Sequence, residues 1–141
     1  MRTGDLIDHL NRATQAADSN WKHPDVTPRQ FLIMRAIDDL TAEGVRVNQL
    51  RIVEATGMDR STLAEVLRRL ELRKLVARKR DKNDRRSLHV TLTGTGRAMM
   101  TKLEPDVHAL EQWIRLQVSA RDLPGFLQGV KALADRHTAA P

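Results

Sequence analysis

Helices with one small hairpin set among them are what this sequence predicts: a mainly α fold with a small β-wing. Three observations carry that expectation. Apolar residues recur at helical spacing through most of the 141 residues. Between Asn48 and Leu92 the order becomes a helix, a tight turn at Thr56-Gly57-Met58, a second helix opened by Asp59-Arg60-Ser61-Thr62, and a hairpin tipped by Asp81-Lys82-Asn83-Asp84-Arg85-Arg86. Charge is concentrated too: Arg68 to Arg86 holds ten basic residues against three acidic ones, a net of +7 in a chain whose total is +6.

The elements follow in order. From about Asp5 to Trp21, Leu6, Ile7, Leu10, Ala13, Ala17 and Trp21 stand at helical spacing, and His23-Pro24-Asp25-Val26 breaks the run. Thr27 reads as an N-cap with Pro28 at the first helical position. The helix it opens carries Phe31, Leu32, Met34, Ile37 and Leu40 and ends before Gly44. Val45-Arg46-Val47 alternates and predicts one small strand. Asn48 caps a third helix expected to bury Leu50, Ile52, Val53 and Thr56.

The fourth helix starts at about Asp59, whose carboxylate can accept from first-turn amides. Leu63, Val66, Leu67 and Leu70 form its buried stripe, which leaves Ser61, Glu65 and Arg68 facing away with Thr62 and Arg69 on one flank. Leu75-Val76 enters the hairpin, and Leu88-His89-Val90-Thr91-Leu92 returns with strict alternation. Thr93 caps a fifth helix despite Gly94 and Gly96. That helix carries Met100, Leu103, Val107, Leu110, Ile114 and Gln117, a seam with coiled-coil-like spacing, and Pro105 is expected to kink it. Ser119 to Asp122 fits a capping box before a last helix with Leu123, Phe126, Leu127, Val130, Leu133 and Ala134.

Composition removes several classes of function. Charged residues at 30% and hydrophobic residues at 40% are an ordinary globular mix. No apolar run approaches the roughly 18 residues that span a bilayer, and the first residues lack a signal-like apolar core, so no membrane partner and a cytoplasmic site of action are expected. The absence of cysteine excludes disulfides and thiol chemistry. The five histidines have no i, i+4 pair, so neither metal nor cofactor is expected. No G-x-S-x-G, H-E-x-x-H or phosphate-binding glycine loop is present, and Gly94-x-Gly96 follows a strand with the wrong spacing for a nucleotide fingerprint. Catalysis is not expected.

A helix-turn-helix followed by a wing ordinarily lays its second helix in the major groove of duplex DNA. The candidate DNA-binding residues are therefore Arg60, Ser61, Thr62, Glu65, Arg68 and Arg69 on that helix, with Lys82, Arg85 and Arg86 at the wing. Ser61 and Thr62 either reach bases and phosphates or simply cap the helix. Glu65 either accepts from cytosine N4 or pairs with Arg68 or Arg69. Of the wing arginines, one is expected to pair with Asp81 or Asp84 while Arg86 enters the minor groove. Arg29 and Arg51 are weaker candidates for backbone phosphates.

These residues resemble the MarR (multiple-antibiotic-resistance regulator) family of winged helix-turn-helix regulators over nearly the full chain. The matching stretches are Thr27-Pro28-Arg29-Gln30-Phe31, Thr56 to Leu63, and Leu70-Glu71 leading to Leu75-Val76. The most specific is the DxxDRR wing, Asp81 to Arg86, closed by Val90-Thr91-Leu92-Thr93-Gly94-Thr95-Gly96. The resemblance implies an intertwined homodimer that represses transcription from a pseudo-palindromic operator. It divides the chain into an N-terminal dimerisation helix (1–26), a DNA-binding module (27–95) and C-terminal dimerisation helices (96–141). It also implies a small-molecule effector bound between dimerisation helices and DNA-binding module, for which His9, Arg12 and Trp21 are the candidate contacts, with His108 nearby. The alternatives are a ligand-independent DNA-binding or architectural protein, or a regulator that acts through a partner. Three departures stand out: acidic Glu65 in the recognition helix, Lys74 where the family usually has glycine, and no cysteine where oxidant-sensing relatives place one. If Lys74 is left-handed it carries roughly 1 kcal/mol of strain.

Overall fold

A computed structural model of the chain describes residues 1–80, 82–84 and 88–138. Its elements are α1 (Asp5–Ser19), α2 (Pro28–Ala42), α3 (Gln49–Thr56), α4 (Arg60–Leu72), β1 (Val76–Arg80), β2 (Leu88–Leu92), α5 (Gly94–Leu116) and α6 (Leu123–Thr138). No helix among the described residues is long and apolar enough to cross a membrane.

Helices α2 to α5 each begin at a polar side chain that serves their free amides. Thr27 Oγ1 accepts from the Gln30 N–H at 3.1 Å, and Gln30 Oε1 returns the bond to the Thr27 N–H at 3.1 Å, completing a capping box. Asn48 Oδ1 accepts from the Arg51 N–H at 2.9 Å. Thr93 Oγ1 accepts from the Gly96 N–H at 2.9 Å. Such caps contribute about 1 kcal/mol each. Before α6, Ser119 Oγ accepts from the Asp122 N–H at 3.2 Å, so Leu123 rather than a later residue begins the helix.

One core holds the middle of the molecule together. Ile33, Met34 and Ile37 of α2, Ile52 of α3, and Leu63, Leu67 and Leu70 of α4 meet Val47, Leu75, Val76, Val90 and Leu92. Fully burying each such side chain stabilises the fold by roughly 1.5–3 kcal/mol. The two strands pair antiparallel from Val76 with Leu92 to Arg80 with Leu88, which points Val90 and Leu92 inward. Outside this cluster the described chain buries little: Leu103 of α5 is covered, whereas α1 buries no residue at all. Ile7 of α1 is 75% exposed and Leu133 of α6 is 62% exposed.

Three details differ from the sequence-based expectation. Val45 to Val47 forms no strand; Val47 is buried and its carbonyl accepts a bond from the Val90 N–H at 2.8 Å, which fastens the segment to β2. Leu50 is 50% exposed instead of buried, while Ile52 is fully covered. Two residues span roughly 200° of helix, so the two cannot share a face, and Ile52 takes the core. Helix α1 stops at Ser19, which leaves Trp21 in the connection to α2. Pro105, where the sequence predicts a kink, lies inside α5, which runs from Gly94 to Leu116 as one helix.

The exit from α4 is tightly built. Lys74 has φ 59°, the left-handed conformation its position called for. The Lys74 N–H bonds to Glu71 O at 2.9 Å and the Leu75 N–H to Leu70 O at 3.0 Å, closing the helix as a Schellman motif. Thr93 reaches the same corner: its N–H bonds to Leu75 O at 3.1 Å and its hydroxyl donates to Lys74 O at 2.6 Å. A Cβ on Gly96 would lie 2.1 Å from Leu75 O, so only glycine lets α5 come this close.

Candidate nucleic-acid interface

The turn between α3 and α4 is made by Gly57 at φ 71°, whose N–H bonds to Val53 O at 2.8 Å. The far end of the chain touches this turn: His137 Nε2 lies 2.8 Å from Gly57 O. Because Leu63, Leu67 and Leu70 face the core, the helix must turn Arg60, Ser61, Glu65, Arg68 and Arg69 to solvent, with Thr62 half-buried.

Asp59 caps this helix and takes more than the backbone. Its carboxylate accepts from the Thr62 N–H, the Thr62 hydroxyl and the Ser61 hydroxyl, each at 2.7 Å. The Thr62 backbone bond, helped by the two hydroxyls, lowers its pKa to about 2. The cap is thus Asp59 rather than Ser61 or Thr62. Both hydroxyls have committed their protons and present lone pairs to a ligand, suited to a base amino group rather than to a phosphate. The ionised Asp59 also occupies the positive end of the helix where a phosphate would otherwise sit.

Glu65 sits between two arginines. It accepts from Arg68 Nη2 at 3.0 Å and Nε at 3.2 Å, and from Arg69 Nε at 2.9 Å. The Arg68 hydrogen bond, then that of Arg69, lowers the Glu65 pKa to about 2, and the same carboxylate raises the Arg68 pKa. In the free chain Glu65 is therefore engaged within its own helix. Each guanidinium has five N–H donors, so the clamp orients both arginines while leaving donors facing outward.

The hairpin is tied to the helix by Arg78, whose Nε donates to Glu71 Oε2 at 2.6 Å. Arg73 donates to the backbone carbonyl of Asp25, joining the helix end to the segment before α2. Lys82 is exposed at the end of the hairpin. Asp81, Arg85 and Arg86, on which the minor-groove expectation rests, lie outside the described residues.

Beside α4 runs an open groove of about 860 Å³, lined by Trp21, His23, Arg29, Ser61, Thr62, Glu65 and Arg69 among others. Trp21 Nε1 donates to Val26 O at 2.6 Å, and its ring lies 6.3 Å from that of Phe31. His9 and Arg12 do not join Trp21 in the groove; both are exposed on α1, where Arg12 pairs with Asp8 at 2.8 Å. Sequence reasoning missed Arg46, Lys79, Arg80 and His89, which line a second recess with Lys82. Arg46 stands far from the wing in the chain, so no local spacing could have paired them. Among the described residues no group of three or more His, Asp or Glu is placed to hold a metal ion.

The profile of the MarR family matches residues 25–87. The transcriptional regulator HosA of Escherichia coli is 32% identical over 126 residues, spanning 88% of this chain and 90% of HosA. Among solved structures, BpsR of Bordetella bronchiseptica, whose DNA binding is regulated by 6-hydroxynicotinic acid, superposes with a TM-score of 0.83 at 26% identity, covering 96% of this chain and 97% of BpsR. PcaV of Streptomyces coelicolor, solved in complex with its natural ligand, gives 0.77 at 27% identity, covering 96% and 93%.

Proposed function

The chain belongs to the MarR family of transcriptional regulators, a family of regulators and not of enzymes, and from that premise we propose a homodimeric, cytoplasmic repressor that binds a specific duplex operator and is released by a small ligand. The observation that carries this reading is the outward face of α4, where Arg60, Ser61, Thr62, Glu65, Arg68 and Arg69 stand beside a basic wing. On this face the Glu65 clamp presents two arginines to the duplex, and the Ser61 and Thr62 oxygens accept from exposed base amino groups. Lys82, Arg85 and Arg86 extend the contact along the wing.

Dimerisation is supported by the apolar faces of α1 and α6, which include Leu6, Ile7, Phe126 and Val130 and which the single chain leaves uncovered. The division into terminal dimerisation helices and a DNA-binding module over 27–95 follows the same contrast. Two copies related by a two-fold axis read a pseudo-palindrome with half-sites roughly one helical turn apart. The ligand is proposed from the likeness to BpsR and PcaV. In the groove beside Trp21 it would touch Ser61, Thr62 and Arg69 directly, and it would act only through tighter binding to the DNA-free state. Selection from random duplexes tests the reading: a pseudo-palindromic motif with steep salt dependence is expected, and recovery of no motif would overturn it.

A further inference from the structure

The last turn of α6 reaches across the molecule to the turn that aims α4. Gly57 ends α3, and only Met58 separates it from Asp59, the residue that starts α4. A carbonyl at the C-terminal end of a helix has no partner inside that helix. At Gly57 this carbonyl is met by His137, whose Nε2 lies 2.8 Å away; a carbonyl oxygen only accepts, so Nε2 carries the proton of this bond. The ring also fills the space that a side chain at position 57 would need. A Cβ on Gly57 would lie 2.7 Å from His137 Nε2, so the close approach requires glycine there as well as φ 71° does. Met58, next in the chain, packs against the core cluster. One side of the turn is thus held by apolar contact and the other by His137.

The same face of α6 carries uncovered apolar residues. Phe126, Val130, Leu133 and His137 follow at intervals of four, three and four, which sets them within about 60° of arc on one helix. Phe126, Val130 and Leu133 are exposed in the single chain. A second copy that covers this stripe would therefore fix the helix whose end grips Gly57 O. We infer that His137 is a positioning residue for the recognition helix: through Gly57 O it ties the start of α4 to the dimer face of α6, so that the dimer sets the distance between its two α4 helices. The contact stands on geometry alone, and its consequence rests on the dimeric DNA-binding reading. A loosened turn lets each α4 swing separately. That relaxes the demand for one half-site spacing without removing a group that touches DNA.

The test uses the full chain with three duplexes: the selected operator, the same operator with one base pair inserted between its half-sites, and a single half-site. His137→Ala alters an exposed side chain, and equal melting temperatures would verify that the fold is kept. It is expected to lower the preference for the selected spacing by roughly fivefold or more, with single-half-site affinity and salt slope unchanged. His137→Gln, which keeps an N–H donor, should restore the preference, and Arg136→Gln in the same helical turn should leave it intact. Full preference in His137→Ala, or no recovery in His137→Gln, overturns the positioning role. In a second arm without DNA, amide hydrogen exchange is followed over residues 57–62. If the parent chain binds no duplex, the repressor reading falls and this arm decides. Faster exchange in His137→Ala, reversed in His137→Gln, upholds the hold on the turn, and equal exchange in all three chains overturns it.

Discussion

The middle of this chain and its two ends use similar apolar residues to different effect. In α4, Leu63, Leu67 and Leu70 are covered by the chain's own β1, β2, α2 and α3. In α1 and α6, Leu6, Ile7, Val130 and Leu133 are presented in the same helical rhythm and remain exposed. The difference is one of partners rather than of composition. A stripe at i, i+3, i+4 guarantees a face to be buried, but it does not say whether the cover comes from the same chain.

The contrast is sharpest where burial is greatest. Leu67→Ala should destabilise the fold by about 2–5 kcal/mol, read as a fall in the denaturant midpoint, because it opens a cavity at a fully covered site. Val130→Glu should instead leave unfolding at fixed protein concentration below the dimer threshold unchanged and weaken self-association by about 1.5–3 kcal/mol, seen by sedimentation over a concentration series. Equal effects of the two substitutions on the monomer would erase the distinction. Lys74→Gly should add around 0.5–1 kcal/mol to stability without changing DNA affinity, since glycine adopts the left-handed exit of α4 without the Cβ strain. Least of all, acid should loosen the start and outer face of α4. Asp59 and Glu65 both have folded pKa values of about 2, below their ordinary 3.8 and 4.5. Their contribution is complete above the ordinary values and is lost as pH falls through about 2, so helical circular dichroism should decline over that window with a shallow slope. Asp59→Asn should flatten the dependence.

Much of the middle could be read from residues alone, because its determinants are local. Thr27, Asn48, Asp59 and Thr93 announce helix starts by chemistry within one turn, and the stripe on α4 follows from period alone. Lys74 was readable for the same reason: the helix must close there whatever the side chain. Glu65 left two outcomes open, and in the free chain its own Arg68 and Arg69 engage it. Leu50 was misjudged because composition overruled helical phase in a helix of 8 residues. The proton traffic at Asp59 was missed because a capping pattern shows which groups are near but not which hydroxyl donates. The contact of His137 with Gly57 and the meeting of Arg46 with His89 depend on tertiary structure, and nothing along the chain marks them.

The corner at Thr93 limits how this protein can change length. One threonine joins the last carbonyls before the wing to the first amides of α5, with Leu92 immediately ahead of it and Gly96 pressed against Leu75 O. There is no slack to absorb an extra residue. An insertion between Leu92 and Gly94 would rotate every side chain of the 23-residue α5 by about 100° against the core, taking Leu103 out of its seat. An insertion among residues 117–122 would displace α6 and its His137 contact with Gly57 but leave the core in its seat. Homologues of differing length should therefore place their gaps in the second stretch and keep the first at constant spacing, so that the Thr93 corner acts as a fixed origin from which the rest of the molecule is measured.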